Sequence, residues 1–160
     1  LEKDLEPIKS LVIANWFLGK AWRINHKITA IRLQKLVYFA HGWHLALYNK
    51  PLTDELPQAW SWGPVFTDIY DVTKKYGSQP IYEHVSETAI QSDDTRIHLL
   101  ERVWKIYNKY SDVQLSSLAR EDGSWHITLK KYPNRRNVSI DDATIEQAFK
   151  NKIQSQSSVK

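Results

Sequence analysis

The chain has 160 residues, with 22 Lys and Arg against 18 Asp and Glu, a net charge of +4 and no cysteine. The missing cysteines exclude thiolate zinc sites, iron–sulfur clusters and Cys nucleophiles, while about 68–70% of the unfolded surface of such a chain can be buried in one core without disulfides or a structural metal. A pI near 9.2 is mild for a dedicated nucleic-acid binder, and the longest apolar run, 36–48, is broken by His41, Gly42 and His44 and falls short of the ~20 residues of a membrane span.

Ile8, Leu11, Val12, Trp16 and Leu18 recur at helical spacing between Pro7 and Gly19, which predicts a first helix over about residues 5–19. A second helix is predicted over 29–49. It carries Leu33, Leu36, Val37, Ala40, His44 and Leu47 on one face, and Phe39, Trp43 and Ala46 make much of the remainder apolar. A helix apolar nearly all round belongs in the middle of the core. Pro51 ends the pattern, because the residue before proline is pushed out of the right-handed helical region. In Ala59-Trp60-Ser61-Trp62 the side chains alternate as in a strand, which places both indoles on one side. Gly63-Pro64 then opens a helix predicted over 65–76, with Gly77 following it. Residues 81–85 read as a short strand suited to pair with the Trp60 segment in a small ribbon.

Ser92 or Asp93 is placed to cap the next helix, which has one stripe of Ile97, Leu100, Trp104 and Tyr107 and a second of Leu99, Val103, Ile106 and Tyr110. Ser111 and Gln114 form a capping box for a shorter helix that ends near Asp122-Gly123. The last helix is predicted to start at Ser139, capped by Ser139 with Asp142. It turns Ile145, Ala148, Phe149 and Ile153 inward and gives way to a polar tail, 154–160, expected to be disordered. The predicted fold is mainly α: one domain over 1–153, about six helices around the 29–49 helix, and at most a small β-ribbon. No leader pattern is present and no methionine, even at position 1. A soluble, cytoplasmic chain that is a processed, trimmed or unusually initiated version of its gene product is therefore expected.

Catalytic chemistry has little support in these residues. His41 and His44 have helical spacing for one metal ion, but no carboxylate follows at matching spacing and H-E-x-x-H is absent, so a hydrogen-bonded, partly buried His44 and a helix-edge His41 are expected instead. Asp122, Ser124 and His126 collect the residue types of a triad without the G-x-S-x-G elbow; Gly123 is expected to end one helix, Ser124 to cap the next turn and Trp125 to plug the core. Phosphate-binding glycine loops are absent, so neither an enzyme nor a cofactor is expected. Lys130, Lys131, Arg135 and Arg136 flank Tyr132-Pro133-Asn134, a basic loop suited to phosphates or a stacked base; a solvated loop is the plainer reading.

The aromatic content is more telling, with seven Trp and eight Tyr. Trp and Tyr concentrate in interface hot spots. Trp60 and Trp62 lie between Pro57 and Pro64, beside a core that already has Trp16, Trp43 and Trp104 to accommodate. They are the partner-binding candidates; the alternative is that both tuck onto the central helix.

From residue 28 to 81 the chain carries Leu33-Gln34-Lys35-Leu36, Tyr38-Phe39-Ala40, Gly42-Trp43, Leu45-Ala46-Leu47-Tyr48, Ala59-Trp60, Trp62-Gly63-Pro64-Val65, Ile69-Tyr70 and Lys75-Tyr76-Gly77. Together these resemble the Panacea domain, the family of SocA-like antitoxins and phage-associated proteins. The resemblance extends in outline to 12–18 upstream and to Leu99-Leu100, Val103-Trp104, Tyr107, 116–118 and Trp125 downstream. It implies a mostly helical antitoxin that neutralises a cognate toxin, encoded by a neighbouring gene, through direct binding. In some members the antitoxin also hands its toxin to a protease; the toxins are diverse and include small alarmone synthetases. Leu33, Leu36, Tyr38, Phe39, Trp43 and Tyr48 read as packing residues, Gly42 as a point of close helix approach, and Gly63-Pro64 as the entry to the next element.

Overall fold

The computed structural model describes residues 6–121 and 123–158. In chain order these form α1 (Ser10–Arg23), α2 (Ala30–Tyr48), β1 (Gln58–Trp60), β2 (Gly63–Val65), α3 (Thr67–Thr73) with a 3-10 turn over Lys74–Tyr76, α4 (Arg96–Tyr107), α5 (Asp112–Glu121), α6 (Ser124–Lys131), β3 (Val138–Ser139) and α7 (Asp142–Ser158). The fold is mainly α, with a small antiparallel sheet in the order β2-β1-β3.

α2 is the predicted central helix, and both of its ends are set locally. The Thr29 hydroxyl accepts from the Arg32 amide at 3.2 Å, and Asn49 closes the helix in the left-handed region at φ 58° while its amide donates to Leu45 O. α1, α4, α5 and α7 pack around it. Leu33, Leu36, Val37, Tyr38, Phe39 and Ala40 are fully buried, and each large apolar side chain among them contributes about 1.5–3 kcal/mol. Trp43 is half-buried. Leu47 and Tyr48, expected inside, are exposed, because they fall on the last turn beside the exposed Asn49-Lys50 corner.

Gly42 brings α7 close. A Cβ there would lie 2.2–2.6 Å from ring carbons of Phe149. The Phe149 ring is edge-on to Tyr38, Phe39 and Trp43, with centroids 5.7, 6.3 and 5.2 Å away. Phe39 stacks in turn on Tyr107 at 4.0 Å, and the Trp43 indole donates to the Tyr107 hydroxyl at 2.8 Å. Arg32 joins α2 to the start of α5: its guanidinium donates to Asn108 O and Tyr110 O at 2.6 Å and to Asp112 Oδ1 at 2.8 Å. Both Ser111 and Gln114 bonds of the predicted capping box are present.

Several boundaries differ from expectation where tertiary contacts compete with local pattern. α1 begins at Ser10, because the residues before it are extended: Ile8 donates to Leu52 O and accepts from the Asp54 amide. The helix passes Gly19 and reaches Arg23, which buries Ala21. Residue 5 lies outside the described residues. Residues 58–65 form a hairpin with Trp60 opposite Gly63, so Trp62 lies in the turn and Gly63-Pro64 in a strand; α3 follows at Thr67. Pro64 occupies an edge strand, where a missing N–H is tolerated.

The ribbon's third strand is β3, not residues 81–85. Ile81 instead donates to Ile28 O and is buried against the core. Ser139 therefore belongs to the sheet, and Asp141 takes over as the cap of α7, accepting from the Thr144 amide and hydroxyl. α6 is a two-turn helix where a single capped turn was expected. α7 runs through the polar residues 154–158, where disorder was expected, since extending a formed helix adds one hydrogen bond per residue fixed. Residues 159 and 160 lie outside the described residues. No described helix is long and apolar enough to cross a membrane.

Candidate partner-binding site

Two adjacent polar residues of the mostly apolar α2 build the site. Gln34 pairs with the backbone of Phe66 as a strand would, donating through Nε2 to its carbonyl and accepting through Oε1 from its amide, both at 2.9 Å. Lys35 donates through Nζ to Pro64 O at 2.9 Å. These bonds clamp the hairpin onto α2 and set the angle at which the chain enters α3. Gly63 makes the clamp possible: its φ of +113° disfavours any residue with a Cβ, and a Cβ there would crowd Lys35 Nζ at 3.3 Å.

The hairpin then frames a groove of about 280 Å³ against α2 and α3. The Trp60 ring meets Tyr70 edge-on at 4.7 Å, its indole donates to Gln58 Oε1 and its carbonyl accepts from the Trp125 indole. Trp60 is therefore half-buried and held on three sides. Trp62 is 71% exposed. Ile31 and Tyr70, 45% and 41% exposed, continue the apolar surface from the two helices. The reading that both tryptophans tuck onto the central helix is thus corrected, because the hairpin turn carries Trp62 outward. Ile31, Gln34, Lys35 and Tyr70 were not singled out as site residues. Adjacent Gln and Lys on a helix apolar nearly all round is the signal that could have found Gln34 and Lys35, since buried polar groups require partners.

Lys35 is 2% exposed. Burial pulls its ammonium down to about 7, and the Arg120 guanidinium pushes the same way. The charge thus lies beneath an apolar groove.

The other candidates separate in space. Lys130 and Lys131 end α6, and Arg135 and Arg136 follow in an exposed loop. Lys131 Nζ and the Arg135 guanidinium lie 5.5 and 5.7 Å from the Tyr132 ring centre. Lys131, Arg135 and Arg136 line a concavity of about 500 Å³, but Asp141 lines it too. The Thr144 hydroxyl and amide hold that carboxyl below its ordinary range, so the concavity carries both signs of charge.

His41 is fully buried rather than at a helix edge: Nε2 lies 2.8 Å from Asp142 Oδ1, and Nδ1 accepts from the Thr53 amide. The first turn of α7 draws it inward. His44 is buried, with Nδ1 against Lys50 O, and burial lowers its pKa. Among the described residues no group of three or more His, Asp or Glu is arranged to hold a metal ion. Ser124 is buried against the Tyr38 hydroxyl at 2.7 Å, whereas His126 is exposed beside Trp125, so these two do not converge; Asp122 lies outside the described residues.

With this geometry in view, the chain was compared with known proteins. Residues 33–126 match the family model described as "Antitoxin SocA-like, Panacea domain". The chain is similar to "Antitoxin SocA" of Caulobacter vibrioides (strain NA1000 / CB15N), with 30% identity over 138 residues, covering 79% of this chain and 73% of the relative. No solved structure matches. The matched span begins at Leu33 and takes in the Gln34 and Lys35 clamp, the hairpin and Tyr70.

Proposed function

Since the chain belongs to the family of SocA-like, Panacea-domain antitoxins, we propose that it neutralises a cognate toxin by binding it directly, with the groove of Trp60, Trp62 and Tyr70 as the docking face and no chemistry of its own. One observation carries the choice of face: Trp62 stands 71% exposed on a hairpin that α2 holds rigidly through Gln34 and Lys35. A large aromatic on a backbone that is already clamped loses little main-chain entropy on binding, and hot spots are enriched in Trp and Tyr.

The test begins with the protein encoded beside this one, co-expressed with it to score rescue of growth. Trp62→Ala is expected to leave thermal stability unchanged and to weaken the complex by about 2 kcal/mol, roughly 30-fold in Kd. Trp60→Ala is a poorer probe, because it also removes interior contacts. Unchanged affinity in Trp62→Ala would reject this face, and a neighbour that stays toxic in the presence of the wild-type protein would reject the toxin. If a protease takes delivery of the toxin, toxin levels fall in cells as well as toxin activity.

A second reading, a nucleic-acid contact, is favoured by the approach of Lys131 and Arg135 to one aromatic ring. The first reading predicts no mobility shift with duplex DNA even at low ionic strength. A shift that salt abolishes, and that Arg135→Ala with Arg136→Ala removes, would establish the second.

A further inference from the structure

Building on the reading of the groove as a docking face, we infer that its occupant is a proline-rich partner segment in the polyproline II conformation. Its rings lie against Trp62 and Tyr70, and its carbonyls accept from the donors that those two side chains carry. Most other polar groups around the groove are already bonded within the fold. Gln34 is paired with the Phe66 backbone, Lys35 donates to Pro64 O, the Thr73 hydroxyl donates to Ile69 O and the Trp60 indole donates to Gln58 Oε1. The Trp62 indole N–H and the Tyr70 hydroxyl, by contrast, meet no partner among the described residues. Both side chains line the groove and are open to solvent, Trp62 the more so.

Three peptide shapes compete for such a groove. Strand addition is closed at the outer edge of β2: Pro64 has no N–H, its carbonyl accepts from Lys35, and both backbone groups of Phe66, two residues on, are bonded to Gln34. A helix satisfies its own carbonyls, so an apolar helix face laid here would cover the Trp62 N–H and the Tyr70 O–H without giving them acceptors, which is costly. A polyproline II segment has no internal hydrogen bonds and leaves its carbonyls free to accept.

The charge of the groove agrees with that choice. Its charged lining residues among those described are Lys35 and Lys74, both cations, so the surroundings favour the negative ends of carbonyl dipoles. Proline offers a carbonyl and no N–H, which complements a rim of donors. Its ring is uncharged and its backbone is already restricted, so it packs on aromatic faces with little loss of entropy. The groove, about 280 Å³, falls just under the range of small-molecule pockets and admits a narrow segment.

The probe is a short oligoproline peptide with blocked ends, followed by NMR at the Trp62 indole N–H. The control is a blocked, amphipathic helical peptide rich in Leu and Ala. Oligoproline is expected to bind more tightly than the helix and to shift the Trp62 N–H signal. Tyr70→Phe keeps the ring and removes the hydroxyl, and should weaken oligoproline about fivefold, in line with one net hydrogen bond. Trp62→Ala should weaken it about 30-fold. No binding of oligoproline, equal or tighter binding of the helix, or oligoproline affinity that Tyr70→Phe or Trp62→Ala leaves unchanged would overturn the inference. With the neighbouring gene's product as partner, weak binding in Trp62→Ala together with no competition from excess oligoproline rejects the proline-rich segment and spares the docking face. Full affinity in Trp62→Ala rejects the docking face itself.

Discussion

Replacing Phe149 by Ala is expected to destabilise the fold by about 3–5 kcal/mol, read from urea unfolding midpoints at constant slope. The ring is fully buried and touches three aromatic rings of α2, so its removal leaves a cavity that rigid neighbours cannot close. Lys152 also loses its seat, with its ammonium 4.1 Å from the ring centre. The reciprocal change, Gly42→Ala, is expected to cost about 1–3 kcal/mol from overpacking, although alanine favours a helix by about 1 kcal/mol over glycine. The new methyl would fall 2.2 Å from a Phe149 ring carbon, and that ring has nowhere to move. Combined with Phe149→Ala, the same methyl enters vacated space. The double variant should therefore be more stable than the sum of the singles by about 1–2 kcal/mol. Simple additivity would show that Gly42 does not set the distance between α2 and α7.

Lys35→Met is expected to stabilise the protein by about 2–4 kcal/mol near pH 6 and to lose that advantage as the pH rises. In the unfolded chain the ammonium titrates at its ordinary 10.5; in the fold burial lowers it to about 7. Below about 7 both states are protonated and the wild type carries the whole burial penalty, about 5 kcal/mol at 1.36 kcal/mol per pKa unit. Methionine removes that penalty but leaves Pro64 O without its donor, at about 1–3 kcal/mol. Between about 7 and 10.5 the unfolded wild type binds more protons than the folded one, so its stability rises with pH. The difference between wild type and variant should shift by about 4 kcal/mol from pH 6 to pH 10. A difference that stays constant with pH would mean that Lys35 is charged in the fold at every pH.

Both predictions turn on the family motif, and the two halves of that motif were not equally legible. Leu33, Leu36, Tyr38 and Phe39 declare their burial in the sequence, because a helix without a polar face has one place to go. Gly42 could be read as a point of close approach, but not that Phe149 would fill it. Gln34 and Lys35 passed unremarked as site residues, because what they bond, the Pro64 and Phe66 backbone, lies 29 and 32 residues away.

Local physics within one helix or one cap determined the centre of the fold: the ends of α2 at Thr29 and Asn49 and the box at Ser111 and Gln114 are set by contacts within a few residues along the chain. Tertiary structure decided the rest. Alternation in Ala59-Trp60-Ser61-Trp62 fits a straight strand as well as a hairpin, and Gly63-Pro64 fits a helix start as well as an edge strand. Only pairing with β2 and β3 and the clamp from Lys35 choose between them. The exposure of Trp62, the burial of Lys35 against Pro64 O and the shift of the α7 cap from Ser139 to Asp141 follow from that choice. Strand pairing and buried charge depend on partners far apart in sequence, and residue spacing carries no information about which distant backbone will supply them.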